Sequence, residues 1–301
     1  MAWQAVSGQW KAVGGVWNGL AAAAPAGDGP TISNITGDPD EYEYTKDGEA
    51  WKALRWLGAG SFEVTEAGNA TLLVQGGGGC GGNNGFNDAP GGGSSGGLPR
   101  VDGALPVMEL APGVYTVAPG AGAPGLETTN DPELGKGTKS EIVFDGSPIL
   151  EAVGGAKGGR WSGAPGAWNG AGAPGAGGAA EGSAGGAAGV ANQLGDGGNG
   201  VATIGSGGGG GTGGNGETPS ESTVDAQGGP GFASDITGTM EDYGRGGHGI
   251  RAPGANYIHT AINGRHGHGD GGGGQRNSGN ESNPDISGAG GDGVVIVAWR
   301  A

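Results

Sequence analysis

The chain has 301 residues, 80 of them glycine and 17 proline, and its 30 acidic against 14 basic residues give a formal net charge of −16. Leu, Ile, Val and Phe together number 44, too small a share for a self-sufficient apolar core. The balance argues against an enzyme with a deep pocket, and the negative charge argues against nucleic acid or an anionic membrane as partner.

The first seventeen residues hold a repeat of seven. Trp3 opens one copy, Trp10 a second and Trp17 a third, with Val6, Val13 and Val16 between them and glycines bounding the units. Aromatic and β-branched residues cut by glycine read as short strands with tight turns. Three tryptophans on so short a segment cannot bury one another, so residues 1–19 are expected to dock, either on another chain or on this protein's body. Trp3, Trp10 and Trp17 are the candidate attachment residues. Residues 20–30 are rich in alanine and proline and read as a linker.

Residues 31–56 contain a hairpin signal. Tyr42 to Lys46 alternates, Asp47-Gly48 supplies a two-residue turn, and residues 49–56 return. A second strand pair is expected at 61–66 and 70–75, broken at Gly68-Asn69. Strands are also expected at 106–110 and 114–117 around Pro112-Gly113, and at 141–144 and 149–153 around Asp145-Gly146. The most β-prone text is the terminal run 294–299, Val-Val-Ile-Val-Ala-Trp. No segment reads as a helix. Residues 179–191 are alanine-rich but interrupted by glycines that each cost about 1 kcal/mol in a helix.

Between these strands run the glycines. A glycine run costs backbone entropy and contributes no side chain. Its use is therefore expected where backbones touch, in extended helices of three residues per turn. Collagen is excluded, because its glycine must recur at every third position. Gly163 and Gly166 keep the period and Asn169 breaks it; Gly172, Gly175 and Gly178 resume it and Glu181 breaks it again. The predicted fold is all-β, a sandwich-like framework carrying packed polyglycine II-like helices, with essentially no α-helix.

Three features in order carry a family resemblance. A strand, Leu72 to Gln75, ends in a glycine run. Leu110-Ala111-Pro112-Gly113-Val114-Tyr115-Thr116-Val117 enters Pro119-Gly120-Ala121-Gly122-Ala123. The end of the chain is Gly290-Gly291-Asp292-Gly293-Val294-Val295-Ile296-Val297. Together they resemble, over residues 57–301, the glycine-rich domain of tailed-phage virion proteins, particularly minor tail and tail-fibre proteins. They are similar more loosely to the polyglycine-helix adhesins at fibre tips. The resemblance implies a virion tail protein exposed on the particle surface, with other tail proteins, a bacterial cell-surface protein or glycan, and further copies of itself as partners. Host recognition is the role that it implies for the non-glycine loops. The alternative is a purely architectural virion protein, such as a head fibre or decoration protein. The N-terminal tryptophan repeats and the long non-glycine insertions depart from those adhesins.

Trp161 and Trp168 stand in bare glycine text, where they either meet a receptor or plug gaps between glycine helices. Tyr243 and Tyr257, with His266 and His268, lie in the polar interruptions between 217 and 286 and are the remaining receptor-binding candidates. His266-Gly267-His268-Gly269-Asp270 holds metal-ligand types, but alternate residues on glycine fix no geometry, and no metal or other cofactor is expected. Asp-Gly pairs lack the tandem repeats of calcium solenoids. Gly135-Lys136-Gly137-Thr138 lacks the spacing of a phosphate loop. No nucleophile stands in an elbow context, so catalysis is not expected. Cys80 has no cysteine to pair with. The first residues lack the basic and apolar regions of a secretory signal, and the run at 294–299 is too short to span a bilayer.

Overall fold

The computed structural model describes residues 2–6, 9–13, 29–84, 90–125, 133–159, 174–179, 194–201, 204–220, 224–251, 262–276 and 286–301. Its strands are β1 Ala2–Val6, β2 Gln9–Val13, β3 Thr31–Thr36, β4 Asp40–Lys46, β5 Glu49–Trp56, β6 Gly60–Glu66, β7 Gly68–Gln75 and β8 Asn83–Asn84. There follow β9 Val107–Leu110, β10 Gly113–Ala118, β11 Ser140–Phe144, β12 Ser147–Ala152, β13 Phe232–Ser234, β14 Glu241–Tyr243, β15 Gln275–Arg276 and β16 Val294–Arg300. One 3-10 turn, Glu133–Gly135, is the only helical element among the described residues.

Two five-stranded antiparallel sheets face each other, in the orders β12-β11-β10-β6-β3 and β4-β5-β16-β7-β9. Between them lies an apolar cluster drawn from both, including Leu54, Trp56, Phe62, Val64, Leu72, Val74, Tyr115, Ile142, Leu150, Val295 and Val297. The aromatic rings of Trp56, Phe62, Tyr115 and Phe144 stack in series, with centroids 5.5, 5.0 and 4.6 Å apart. Such contacts add to area burial.

The terminal strand β16 sits at the centre of its sheet, between β5 and β7. Its apolar run does not alternate because the outer face of that sheet is covered as well. A second cluster there joins Leu73, Val294, Ile296 and Ala298 to Leu98, Ile236 and Tyr243. A strand buried on both faces has no use for a polar side.

The Asp47-Gly48 hairpin forms as expected, with β4 and β5 in unbroken register and positive φ at both turn residues, 54° and 81°. The Asp145-Gly146 hairpin also forms, with a register shift at Ile142/Val143 opposite Pro148. The expected pairing of 61–66 with 70–75 does not. β6 pairs with β10 and β3, whereas β7 pairs with β16 and β9. Gly68 lets the chain cross from one sheet to the other, for a Cβ there would collide with the Gly29 and Pro30 backbone. β9 and β10 likewise fall in different sheets.

The glycine segments form a lattice with a threefold rule. From 76 to 82 the amides donate in rotation to three neighbours. Gly76, Gly79 and Gly82 bond to the carbonyls of Gly97, Ser94 and Gly91; Gly77 and Cys80 to Thr138 and Gly135; Gly78 and Gly81 to Gly291 and Gly288. Its carbonyls accept from three more, through the amides of Gly155 and Gly158, of Ala123, and of Gly272. Six neighbours with a three-residue repeat define polyglycine II packing. Segments 91–97 and 206–212 repeat the pattern. The donors at 206, 209 and 212 reach residues 250, 247 and 244; 207 and 210 reach 178 and 175; 208 and 211 reach 217 and 214.

The bonds place these segments in three layers. The middle layer runs 120–125, 76–82, 91–97, 206–212 and 214–217. One outer layer runs 135–139, 153–159, 174–179 and 194–200; the other runs 288–293, 269–274, 244–250 and 226–231. Side chains are excluded by contact. A Cβ built on Gly77, Gly92, Gly207 or Gly246 would meet a neighbouring carbonyl oxygen far inside van der Waals distance.

Candidate functional site

The lattice grows out of the sandwich. β7 runs into 76–82, β12 into 153–159 and β14 into 244–250, while 135–139 and 288–293 return into β11 and β16. From 76 to 82 is six steps of about 3.1 Å, so the far end lies roughly 19 Å from the strand it leaves. The chain departs from the lattice at this remote end after Gly82, Gly125, Gly159, Arg251 and Gly274, and the parallel pair β8–β15 joins two of these exits. Leu134, Val224, Ile262 and Ile286 are exposed large apolar residues at the remote ends of their segments.

The sequence candidates divide. Trp17, Trp161, Trp168 and Tyr257 lie outside the described residues. Trp3 and Trp10 are on β1 and β2, which pair antiparallel with Trp3 opposite Ala12 and Ala5 opposite Trp10. Tyr243, His266 and His268 come together, but at the sandwich end of the lattice rather than the remote one.

Tyr243 ends β14 and is fully buried. Its ring lies on His268, 5.3 Å between centroids, and its hydroxyl donates to Glu241 at 2.9 Å. Burial first, and then the carboxylate beside it, push the phenol far above its ordinary value. His268 Nδ1 meets the carbonyl of Asp242 at 2.9 Å; a carbonyl only accepts, so this nitrogen carries the proton. Burial lowers the His268 pKa, opposed by the bond to Asp242 and assisted by the nearby Arg265. Asp270, buried, accepts from the Arg245 amide and from Arg265 Nε at 2.6 Å. His266 is exposed and bonds Asp292 at 2.5 Å, while Asp292 also accepts from the Gly122 amide. This is a clamp holding the 265–268 turn, and with it segment 269–274, to the sandwich. The two imidazoles thus serve different carboxyl and carbonyl groups. Among the described residues no three His, Cys, Asp or Glu side chains gather around a point that could hold a metal.

The expectation that Tyr243 offers its ring to a partner does not match where the ring lies. Its surroundings in sequence are polar, but the β13–β14 hairpin folds back onto the sheet, with Phe232 to Tyr243 paired in register. Tyr44 donates from below to Ile236 O at 2.7 Å, and burial with Asp235 nearby pushes its pKa up to about 12.

A second class of residue was not anticipated from the sequence. Where a lattice amide has no backbone carbonyl to reach, a short polar side chain accepts instead. Ser94 Oγ takes the Ala156 amide, Ser140 Oγ that of Gly120, Ser206 Oγ that of Ile250, Thr218 Oγ1 that of Asn199 and Asn263 Oδ1 that of Ala289. Ser, Thr, Asn and Asp in glycine text read as loop formers, yet here they complete the lattice. The signal was their scatter as single residues between glycines.

The architecture is that of an all-β sandwich extended by a three-layer polyglycine II lattice. A glycine-rich domain family model matches residues 57–300, and the chain belongs to that glycine-rich domain family. A search of curated proteins returns no match.

Proposed function

We propose that this protein is a structural component of a tailed-phage virion, a minor tail or tail-fibre protein that contributes to recognition of the host surface. One observation carries the reading: the lattice is anchored at the sandwich, and the chain leaves it at the opposite end after Gly82, Gly125, Gly159, Arg251 and Gly274. Polyglycine helices hold position without side chains, so any specificity belongs to what interrupts them. Rigid scaffolds with displayed loops are a general arrangement for recognition. The resemblance of the strand, glycine-run and terminal-strand order to phage tail proteins supports the virion setting. The partners in this reading are other tail proteins and a bacterial surface protein or glycan.

The test is competition. Purified protein added to host cells is expected to bind them and to reduce phage adsorption in proportion to the sites it occupies, with antibody labelling placing the protein on the tail. Labelling on the particle with neither binding nor competition would assign it an architectural role, as a head fibre or decoration protein. Absence from the particle would overturn the reading altogether.

A further inference from the structure

The two large sheets have four outer strands, and three are closed to further pairing. β3 carries register shifts at Thr31/Ile32 and Ser33/Thr36. β12 contains Pro148 at a shift. β9 is four residues long, between Pro106 and Pro112. Bulges, prolines, short length and charged side chains are devices that block edge pairing. β4 has only the last: its seven residues pair with β5 without interruption, and Asp40, Glu41, Glu43 and Lys46 supply charge.

The two-residue turn fixes which groups are open. Lys46, Tyr44, Tyr42 and Asp40 exchange bonds with β5, so the amides and carbonyls of Glu41, Glu43 and Thr45 point away from the sheet. Ala50, opposite Thr45, accepts from Ala301 on its far side, as this alternation requires. Among the described residues no backbone group pairs with the outward groups of Glu41, Glu43 and Thr45.

The edge has two chemical faces. Tyr42 and Tyr44 are half-buried on one, with Tyr44 stacked on Trp51 at 6.4 Å. Glu41 and Glu43 are exposed on the other. A second β4 would set these carboxylates against their own copies, which disfavours self-pairing. A strand that fits brings apolar residues on one face and a cation on the other.

The β1–β2 hairpin has that pattern. Its register places Trp3, Ala5, Trp10 and Ala12 on one face and Ala2, Gln4, Val6, Gln9, Lys11 and Val13 on the other, where Lys11 is the one charge. Lys11 is the sole charged side chain before Asp28. A two-stranded hairpin is marginal alone in water and needs a surface. The tether from Val13 to Gly29 can span up to roughly 50 Å. Gly29 lies against Trp299 and Arg300, and Arg300 pairs with Trp51, which in turn faces Tyr44. The anchor is therefore about two strand spacings, near 10 Å, from β4. A short tether raises the effective concentration to the millimolar range, favouring the same chain over another copy.

We propose that β2 of the N-terminal hairpin, a separate two-stranded sheet in the structure, adds in the parallel direction to the open edge of β4 in its own chain. The outward groups of β2 are those of Trp10 and Ala12, and only parallel pairing then sets Trp10 beside the Tyr42–Tyr44 row and Lys11 beside Glu41 and Glu43. The sheet then ends in β1, whose residues Ala2–Val6 bear no charge. The acidic edge is replaced by a neutral one suited to a neighbouring subunit. The proposal stands apart from the virion reading, since it concerns the isolated chain.

Amide hydrogen exchange on the full-length protein tests it. Glu41, Glu43 and Thr45 are expected to exchange slowly in dilute monomer. Lys11→Glu turns attraction into repulsion and should speed them roughly tenfold. Adding Glu41→Lys and Glu43→Lys to that variant should restore protection. Fast exchange in the unaltered protein, or protection indifferent to Lys11→Glu, overturns the proposal. So does protection that appears only with concentration and a dimer in sedimentation, which would make a second copy the occupant.

Discussion

The Tyr243 ring covers the His268 imidazole at 5.3 Å, and each ring is tied by its polar atom to the adjacent residues of one strand, Glu241 and Asp242. The pair closes the joint between the lattice and the outer face of the central sheet, where Tyr243 packs with Leu73 and Ile296. Tyr243→Ala is therefore expected to cost about 3–5 kcal/mol, the range for emptying a buried aromatic site. Tyr243→Phe keeps the ring and loses one bond, at about 1 kcal/mol. Urea denaturation followed by tryptophan fluorescence separates the two. Equal stability of Tyr243→Ala and the parent would mean the ring does not pack as described.

His268 supplies a pH dependence. Its folded pKa lies below the ordinary histidine value, chiefly through burial. The unfolded chain then binds the proton more readily than the folded one, so stability is unaffected well above the unfolded pKa and falls as pH drops through it. The expected window opens near pH 6.5, the usual histidine value, and extends downward. His268→Phe keeps a stacking ring and cannot take the proton. Thermal unfolding between pH 8 and 5 should show a shallower decline for this variant than for the parent; parallel declines would assign the effect to other groups.

How far the sequence speaks is visible in particular residues. Asp47-Gly48 and Asp145-Gly146 fix their turns locally, because both need positive φ at adjacent positions, and both hairpins were legible. The glycine lattice was legible as a type, since nothing else uses so many absent side chains. Its connectivity was not. That Gly78 donates to Gly291, more than two hundred residues away, leaves no local trace, because each glycine looks alike. The crossing of Gly68 between sheets was hidden for a related reason: a short glycine break serves a hairpin and a sheet change equally well. Tyr243 and His268 read as exposed because their neighbours are polar, whereas the partner that buries them is a distant strand face.

Ser206 tests the side-chain acceptors. Its hydroxyl is buried, donates to Pro90 O at 2.7 Å and receives the Ile250 amide at 2.6 Å. Ser206→Ala leaves the Pro90 carbonyl and the Ile250 amide inside the lattice without that hydroxyl partner. A buried polar group deprived of its partner costs about 1–3 kcal/mol. Thr65→Ala is the comparison, because its hydroxyl bond to Thr31 O is exposed, and it should change stability by less than about 0.5 kcal/mol. Denaturant midpoints for the two variants should differ accordingly; equal midpoints would show that the hydroxyl is not part of the lattice's support.

The lattice itself is tested at its centre. Gly209 belongs to a segment surrounded on six sides, and a Cβ there would overlap the Gly93 carbonyl. That carbonyl cannot retreat, because it accepts from the Gly247 amide at 2.8 Å, and the Gly93 amide donates to Gly272 at 2.9 Å. Moving one segment means moving its neighbours, so the strain is not relieved by a single rotamer change. Gly209→Ala is expected to cost at least about 3 kcal/mol, the upper end of overpacking in a tight interior. Gly58 offers the matching control: a Cβ there meets nothing within 4 Å, and its φ is not in the left-handed region. Gly58→Ala should leave stability within about 0.5 kcal/mol, or raise it slightly by restricting the unfolded chain. The pair is read by thermal melting of both variants in one buffer. If Gly209→Ala melts with Gly58→Ala, the backbones at the centre of the lattice are not in contact, and the three-layer arrangement is wrong.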